Sequence, residues 1–62
     1  MKGRVTWWNN SSNCGFIEIN EEEFFVHLED SSVQIQDDDI IEFSLEQKHE
    51  GLFIYNLKET IN

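Results

Sequence analysis

Residues 14–28 read CGFIEINEEEFFVHL, two apolar runs separated by an acidic break. Each run alternates with a period of two, which is typical of a half-buried β-strand. One face of the two runs suits a protein core and holds Ile17, Ile19, Phe24, Val26 and Leu28. The opposite face carries Phe16 and Glu18 from the first run, and Phe25 and His27 from the second. Because the break at residues 20–22 predicts a turn, the stretch predicts two neighbouring strands.

The same kind of pattern recurs through the rest of the chain. Five short runs rich in β-branched and aromatic residues cover residues 2–8, 14–19, 23–28, 40–45 and 52–58. Clusters of Asn, Asp, Ser and Gly separate them, at residues 9–13, 20–22, 29–39 and 48–51. Five short antiparallel strands in so short a chain predict an all-β fold, a closed or nearly closed barrel, because closure removes exposed strand edges.

The composition is that of a small soluble domain. The chain has 62 residues, which predicts one domain spanning residues 1–62. It has one cysteine, Cys14, and its first residues show no apolar segment of a secretion signal, so we expect a reducing, cytoplasmic setting. No apolar run approaches the roughly 20 residues of a membrane span, and we expect no membrane partner.

The charge balance argues against a polyanionic ligand when it is taken alone. Thirteen acidic residues oppose four basic ones, a net charge of −9. Proteins that bind nucleic acids usually present a basic surface to the phosphates. However, the local potential at a site can differ from the net charge. The acidic runs at residues 21–23 and 37–39 are most simply solvated loops.

Aromatic side chains on one face of the predicted sheet point to a function. Phe16, Phe25 and His27 share that face, and Trp7 on the first strand adds a fourth ring. The opposite face already supplies a core, so these rings are surplus to packing and mark a contact surface. Rings on a sheet stack the bases of single-stranded nucleic acid, at roughly 1–3 kcal/mol for each base.

At these residues the chain resembles the cold-shock domain family. The resemblance runs in order through GRV at residues 3–5, WWN at 7–9, GFI at 15–17 and FVH at 25–27, and ends more faintly at residues 56–57. Each piece alone is weak, but the combination at this spacing is fairly specific. The resemblance implies a five-stranded antiparallel barrel of the OB-fold type. It also implies binding of single-stranded RNA or DNA through two motifs, which match residues 13–17 and 24–28.

The resemblance further implies which residues contact the strand. Stacking positions of the family fall on Trp7, Phe16, Phe25 and His27. The family usually has phenylalanine at the positions of Trp8 and Leu28, and Asn9 matches a polar position near the ligand. The expected nucleic-acid-binding residues are therefore Trp7, Trp8, Asn9, Phe16, Phe25, His27 and Leu28.

The chain departs from the family's pattern at several of its contact positions. Cys14 replaces a stacking phenylalanine, while Ser12 and Thr6 replace lysines. The last turn usually carries GPQA, and residues 51–54 here read GLFI. If each lost contact is worth about 1–2 kcal/mol, affinity falls by about two to four orders of magnitude. We therefore expect weakened binding, in an RNA-chaperone-like role.

The last predicted strand leaves an alternative open. Residues 52–58 are apolar on both faces, so either both faces are covered or one extends the aromatic face. Such an extension suits base stacking and a protein partner equally well. The competing hypothesis is an acidic protein-interaction barrel that has lost nucleic-acid binding and meets a protein partner, or a second copy through an edge strand.

Enzymatic and metal-dependent functions have little support. No carboxylate is identifiably paired with a base or nucleophile, and so small a barrel has little room for a deep pocket. The acidic surroundings of Cys14 disfavour a thiolate. Cys14, His27 and His49 do not have the spacing of a zinc site, and we expect no cofactor.

Overall fold

The computed structural model describes residues 1–30 and 32–59. The strands are β1 (Lys2–Asn9), β2 (Cys14–Ile19), β3 (Glu22–Leu28), β4 (Ile40–Lys48) and β5 (Gly51–Glu59). They close into a barrel in the order β1-β2-β3-β5-β4. The predicted all-β class and five-stranded barrel are thus confirmed, and the barrel is compatible with an OB-fold. Residue 31 of the predicted connection and residues 60–62 of the predicted domain lie outside the described residues.

The strand pairing is antiparallel at four of the five seams. At the fifth seam β3 and β5 run parallel, with His27 opposite Phe53. Because of this seam, the outward-facing side chains of β3 and β5 are neighbours on the outside of the barrel. The hairpin between β2 and β3 turns at Asn20 and Glu21, which both have positive φ, at 50° and 69°. That is the geometry of a type I′ turn, whose twist matches the flanking strands.

A β-bulge at Thr6 sets which way the two tryptophans face. Val5 pairs with Ile17 and Trp7 pairs with Phe16, so β1 has one more residue than β2 between these two pairs. Simple alternation would put Val5 and Trp7 on the same face. The extra residue instead turns Trp7 outward and Trp8 into the barrel, because a bulge shifts the alternation by one. Asp37 Oδ1 accepts a hydrogen bond from the backbone N–H of Trp8 at 2.8 Å.

The core occupies the inside of the barrel and draws on every strand. Ile35, from the connection between β3 and β4, also lies in it at 2% exposure. Asn10 fixes that connection, because its side-chain amide donates to the Ile35 carbonyl at 2.9 Å and accepts from the Ile35 N–H at 3.2 Å. The described residues contain no helix long and apolar enough to cross a membrane. The core side chains are Val5, Trp8, Ile17, Val26, Leu28, Ile35, Ile41, Phe43 and Ile54.

Candidate functional site

A row of three exposed rings crosses β1, β2 and β3 on the outside of the barrel. The register pairs Trp7 with Phe16 and Phe16 with Phe25. The ring centroids of Trp7 and Phe16 are 6.1 Å apart, and those of Phe16 and Phe25 are 5.2 Å apart. The strands of a sheet lie about 4.8 Å apart, so the spacing of the rings follows the spacing of the strands. The predicted aromatic face therefore exists as one continuous surface.

Two further rings, His27 on β3 and Phe53 on β5, continue this surface. The His27 centroid lies 5.1 Å from that of Phe25, in an edge-on arrangement. The Phe53 ring stacks on His27 at 4.9 Å and 28°. We call the five residues the aromatic strip: Trp7, Phe16, Phe25, His27 and Phe53.

The position of Phe53 decides between the two arrangements that the sequence allowed for the last strand, in which either both faces are covered or one face extends the aromatic face. Its backbone is the parallel partner of His27, and its side chain lies outside the barrel while the neighbouring Ile54 is fully buried. One face of β5 therefore extends the strip. Alternation along residues 52–58 could not decide this point, because both faces are apolar in the sequence.

Three rings of the strip are large apolar groups that are exposed to solvent. Trp7, Phe16 and Phe25 are 46%, 36% and 45% exposed, while the core facing them from the other side of the sheet is almost fully buried. Scattered exposed apolar residues are ordinary, but a contiguous exposed patch marks a contact surface. The exposed rings present the π faces that base stacking requires.

Trp8 and Leu28 do not belong to this surface, although the family resemblance implied contacts for both. Trp8 is 7% exposed and Leu28 is 5% exposed, and both pack in the core. The bulge at Thr6 turns Trp8 inward, and alternation with Val26 puts Leu28 on the inner face. Their side chains are therefore structural parts of the barrel beneath the strip.

A more polar row lies beside His27 at the end of the strip. Asn9 pairs with Cys14, and Cys14 pairs with His27. Asn9 Oδ1 accepts from the Ser11 N–H at 2.9 Å, which ties the side chain to the turn after β1. The Cys14 thiol and the Ser12 hydroxyl share a hydrogen bond at 3.2 Å. The half-buried Cys14 thus leaves a small polar gap between Asn9 and His27, where a further ring would lengthen the platform.

On the other side of the three-ring row lie carboxylates. Glu18 and Glu23 pair with each other across β2 and β3, two residues from Phe16 and Phe25 respectively. The Glu23 Oε2 accepts from the Thr6 hydroxyl at 2.8 Å. This bond spans β2 and holds the carboxylate over the sheet. Arg4 faces the same region but is bound by two acids, at 3.3 Å to Glu18 Oε1 and 3.0 Å to Asp38 Oδ1.

The four basic residues are divided between the strip and the far end of the barrel. Lys2 on β1 and Lys58 on β5 are the backbone register partners of Glu42 on β4. Each is five residues along its strand from the nearest strip ring, about 16 Å at roughly 3.3 Å per residue. Two of the four cations therefore do not gather at the strip.

Lys48 is the cation that touches the strip. Its Nζ lies 4.7 Å from the centroid of the Phe53 ring and pairs with Glu29 Oε1. The hydrogen bond that the Lys48 ammonium donates to the Glu29 carboxylate raises the pKa of Lys48, against a smaller opposing effect of burial. Lys48 is therefore positively charged at neutral pH.

Neither a protein-family model nor a curated protein matches the chain, so its function is inferred from the barrel and the strip. Within residues 1–30 and 32–59, no group of three His, Cys, Asp or Glu side chains could hold a metal ion.

Proposed function

We propose that the protein binds single-stranded RNA or DNA by stacking bases on the aromatic strip. The observation that carries the proposal is the continuity of five rings across β1, β2, β3 and β5, with neighbouring centroids 4.9–6.1 Å apart. Each ring can support a base without regard to base identity, at about 1–3 kcal/mol for each base. A strand laid across the sheet would meet one ring after another.

The resemblance to cold-shock domains supports the same function. The two motifs that carry it supply Phe16 from β2, and Phe25 and His27 from β3. The barrel is compatible with the OB-fold, in which single strands commonly bind on the sheet surface. In this proposal the module is a cold-shock-like protein that holds unstructured strands and releases them readily, in the manner of an RNA chaperone.

The charges around the strip favour weak binding that depends little on salt. Arg4 is already bound by two carboxylates and Lys48 by one. A protein that neutralises few phosphates releases few counterions, and the salt dependence is correspondingly shallow. We expect the equivalent of about one or two counterions released on binding, at a slope of about 0.7 for each contact to a single strand.

Titration with a short thymine or uracil oligonucleotide tests the proposal, because one of the two tryptophans lies on the strip and the other lies in the core. Trp7 is exposed on the strip and Trp8 is buried, so a stacked base should quench the emission of Trp7. The Trp7→Phe variant keeps a ring but should lose the quenching, while binding continues as measured by the anisotropy of a labelled oligonucleotide. Absence of any response at micromolar protein and low salt contradicts the proposal.

A second candidate is an acidic interaction module for a basic protein partner. Glu18 and Glu23 flank the three-ring row, and Glu46 is the register partner of Phe53. Carboxylates beside aromatic faces attract cationic side chains through ion pairs and cation–π contacts. Binding of an arginine-rich peptide to the strip, with no response to oligonucleotides, would favour this candidate over the first.

A further inference from the structure

The ion pair between Lys48 and Glu29 crosses over β5 at the end of the aromatic strip. Glu29 follows the last residue of β3, and its N–H donates to the carbonyl of Ile54 at 3.3 Å. Lys48 is the last residue of β4, on the opposite side of β5. Phe53 lies on the strand between them, with the Lys48 ammonium above its ring. The pair therefore covers the strip where it reaches β5.

The Lys48 ammonium presents the contacts that a nucleotide phosphate needs. It is a compact charge with three N–H donors, placed beside a stacking ring. A base on the neighbouring rings would bring its backbone phosphate near the edge of the strip. The Glu29 carboxylate offers Lys48 the same chemical group as a phosphate, an anionic oxygen acceptor.

The contact with Glu29 is of a kind that another anion can displace. About a third of each side chain is exposed, at 33% for Lys48 and 35% for Glu29. Such exposed pairs contribute little to stability, because water and salt screen them. Lys48 also differs from Arg4, whose two guanidinium nitrogens are bound by separate carboxylates. A phosphate has only one oxygen contact to replace at Lys48.

We propose that Lys48, above Phe53, is a phosphate-binding site of the strip, and that the Glu29 carboxylate occupies this site in the free protein as an internal competitor. A bound strand exchanges one anionic oxygen for another at Nζ, while the ammonium stays over the Phe53 ring. The inference rests on the proposed function, and it adds a cationic subsite at the β5 end of the surface. Glu46 and Glu50 also attract Lys48, so loss of Glu29 leaves two weaker competitors in place.

The test compares two variants, each of which removes one negative charge. One charge lies just after the end of β3 and the other lies at its start. Glu29→Gln releases Lys48, whereas Glu22→Gln neutralises an exposed carboxylate at the start of β3, seven residues away. Affinity for a short oligothymidine is measured by anisotropy over a series of salt concentrations. We expect Glu29→Gln to bind about two- to fivefold more tightly than Glu22→Gln at low salt. Its salt slope should also be the steeper of the two, because rising salt screens the competing Lys48–Glu29 pair in the control, whereas Glu29→Gln has no such pair to lose.

Lys48→Gln completes the comparison. Combined with either glutamate variant, it should abolish the difference between them in both affinity and slope. Equal affinities and slopes for Glu29→Gln and Glu22→Gln would overturn the inference. So would binding that is lost in Phe16→Ala but unchanged in slope by Lys48→Gln, and that result leaves the proposed function standing. If no variant binds any oligonucleotide, both the proposed function and the inference fail.

Discussion

Phe16 and Phe25 occupy directly opposed positions on β2 and β3, and their rings meet outside the barrel with centroids 5.2 Å apart at 58°. Tilted aromatic pairs of this kind contribute about 0.5–1.5 kcal/mol beyond the area they bury. The contact therefore orders the rings before any ligand arrives. A surface that is already ordered loses less conformational freedom on binding than one assembled from mobile side chains.

Phe16 is the most informative residue to replace, because its ring contacts both Trp7 and Phe25. Phe16→Ala should weaken binding of a short single strand by about 5- to 150-fold, equivalent to roughly 1–3 kcal/mol for one stacked base. Phe16→Leu keeps apolar volume without a π face and should recover only a small part of this loss. Anisotropy titrations measure both effects. Full recovery by leucine would show that apolar contact, rather than stacking, holds the ligand.

The strand positions and the aromatic face were predictable because they depend on local alternation. Each predicted run lies within its observed strand, and Phe16, Phe25 and His27 lie on the outer face as expected. The direction of Trp8 depends instead on a bulge at Thr6. A bulge is a fit between two strands, and a single run of sequence carries no signal for it. Residue-by-residue transfer from a family likewise assigned Leu28 to the ligand, although its own alternation places it in the core.

Two other features depended on contacts between distant parts of the chain. Phe53 joins the strip through the parallel seam that pairs it with His27. Because β4 lies between β3 and β5 in the sequence, no hairpin turn joins the two strands and no turn signal predicts that they pair. Ile35 enters the core from a polar connection. Val33 and Ile35 alternate with Gln34, and Val33 also packs against the core. Two apolar residues are too short a pattern to predict burial of a loop, and the hydrogen bonds to Asn10 show how Ile35 is held.

Trp8→Phe should cost little stability despite the loss of volume in the core. The Trp8 Nε1 is buried and has no hydrogen-bond partner among the described residues. An unsatisfied buried donor costs about 1–3 kcal/mol, which offsets much of the apolar area that the smaller ring gives up. We expect a change within about 1 kcal/mol in urea denaturation, against about 3–5 kcal/mol for Trp8→Ala. If phenylalanine costs as much as alanine, the indole N–H is satisfied by water.

Gly15→Ala should be among the most damaging single substitutions. A Cβ at Gly15 would lie 2.2 Å from the Trp7 carbonyl oxygen and 2.5 Å from Trp8 Cε3. The first of these atoms belongs to the backbone of the bulged strand and cannot rotate away. We expect a loss of about 3 kcal/mol, or about 12–24 °C in melting temperature for a domain of this size.

Gly3→Ala is the matched control for this effect on the same seam. Its Cβ would meet a side-chain atom first, Ile17 Cγ2 at 2.7 Å, and the Glu18 carbonyl at 3.0 Å. Side-chain repacking relieves part of this overlap, so the fall in melting temperature should be smaller. Circular dichroism melts of both variants check the order. A Gly15→Ala protein that melts like the wild type would contradict the close approach of β1 and β2.

Salt should stabilise the folded protein while it weakens any strand bound to it. The net charge is −9, and the barrel measures 34 × 25 × 19 Å. At about 0.01 M salt the Debye length is about 30 Å, so carboxylates repel one another across the molecule, whereas at about 1 M it is about 3 Å. Screening also weakens the exposed pairs of Arg4 and Lys48, but such pairs contribute little. We therefore expect the melting temperature, followed by circular dichroism, to rise by several degrees over this range; a flat or falling curve would mean that the ion pairs outweigh the repulsion among the acids.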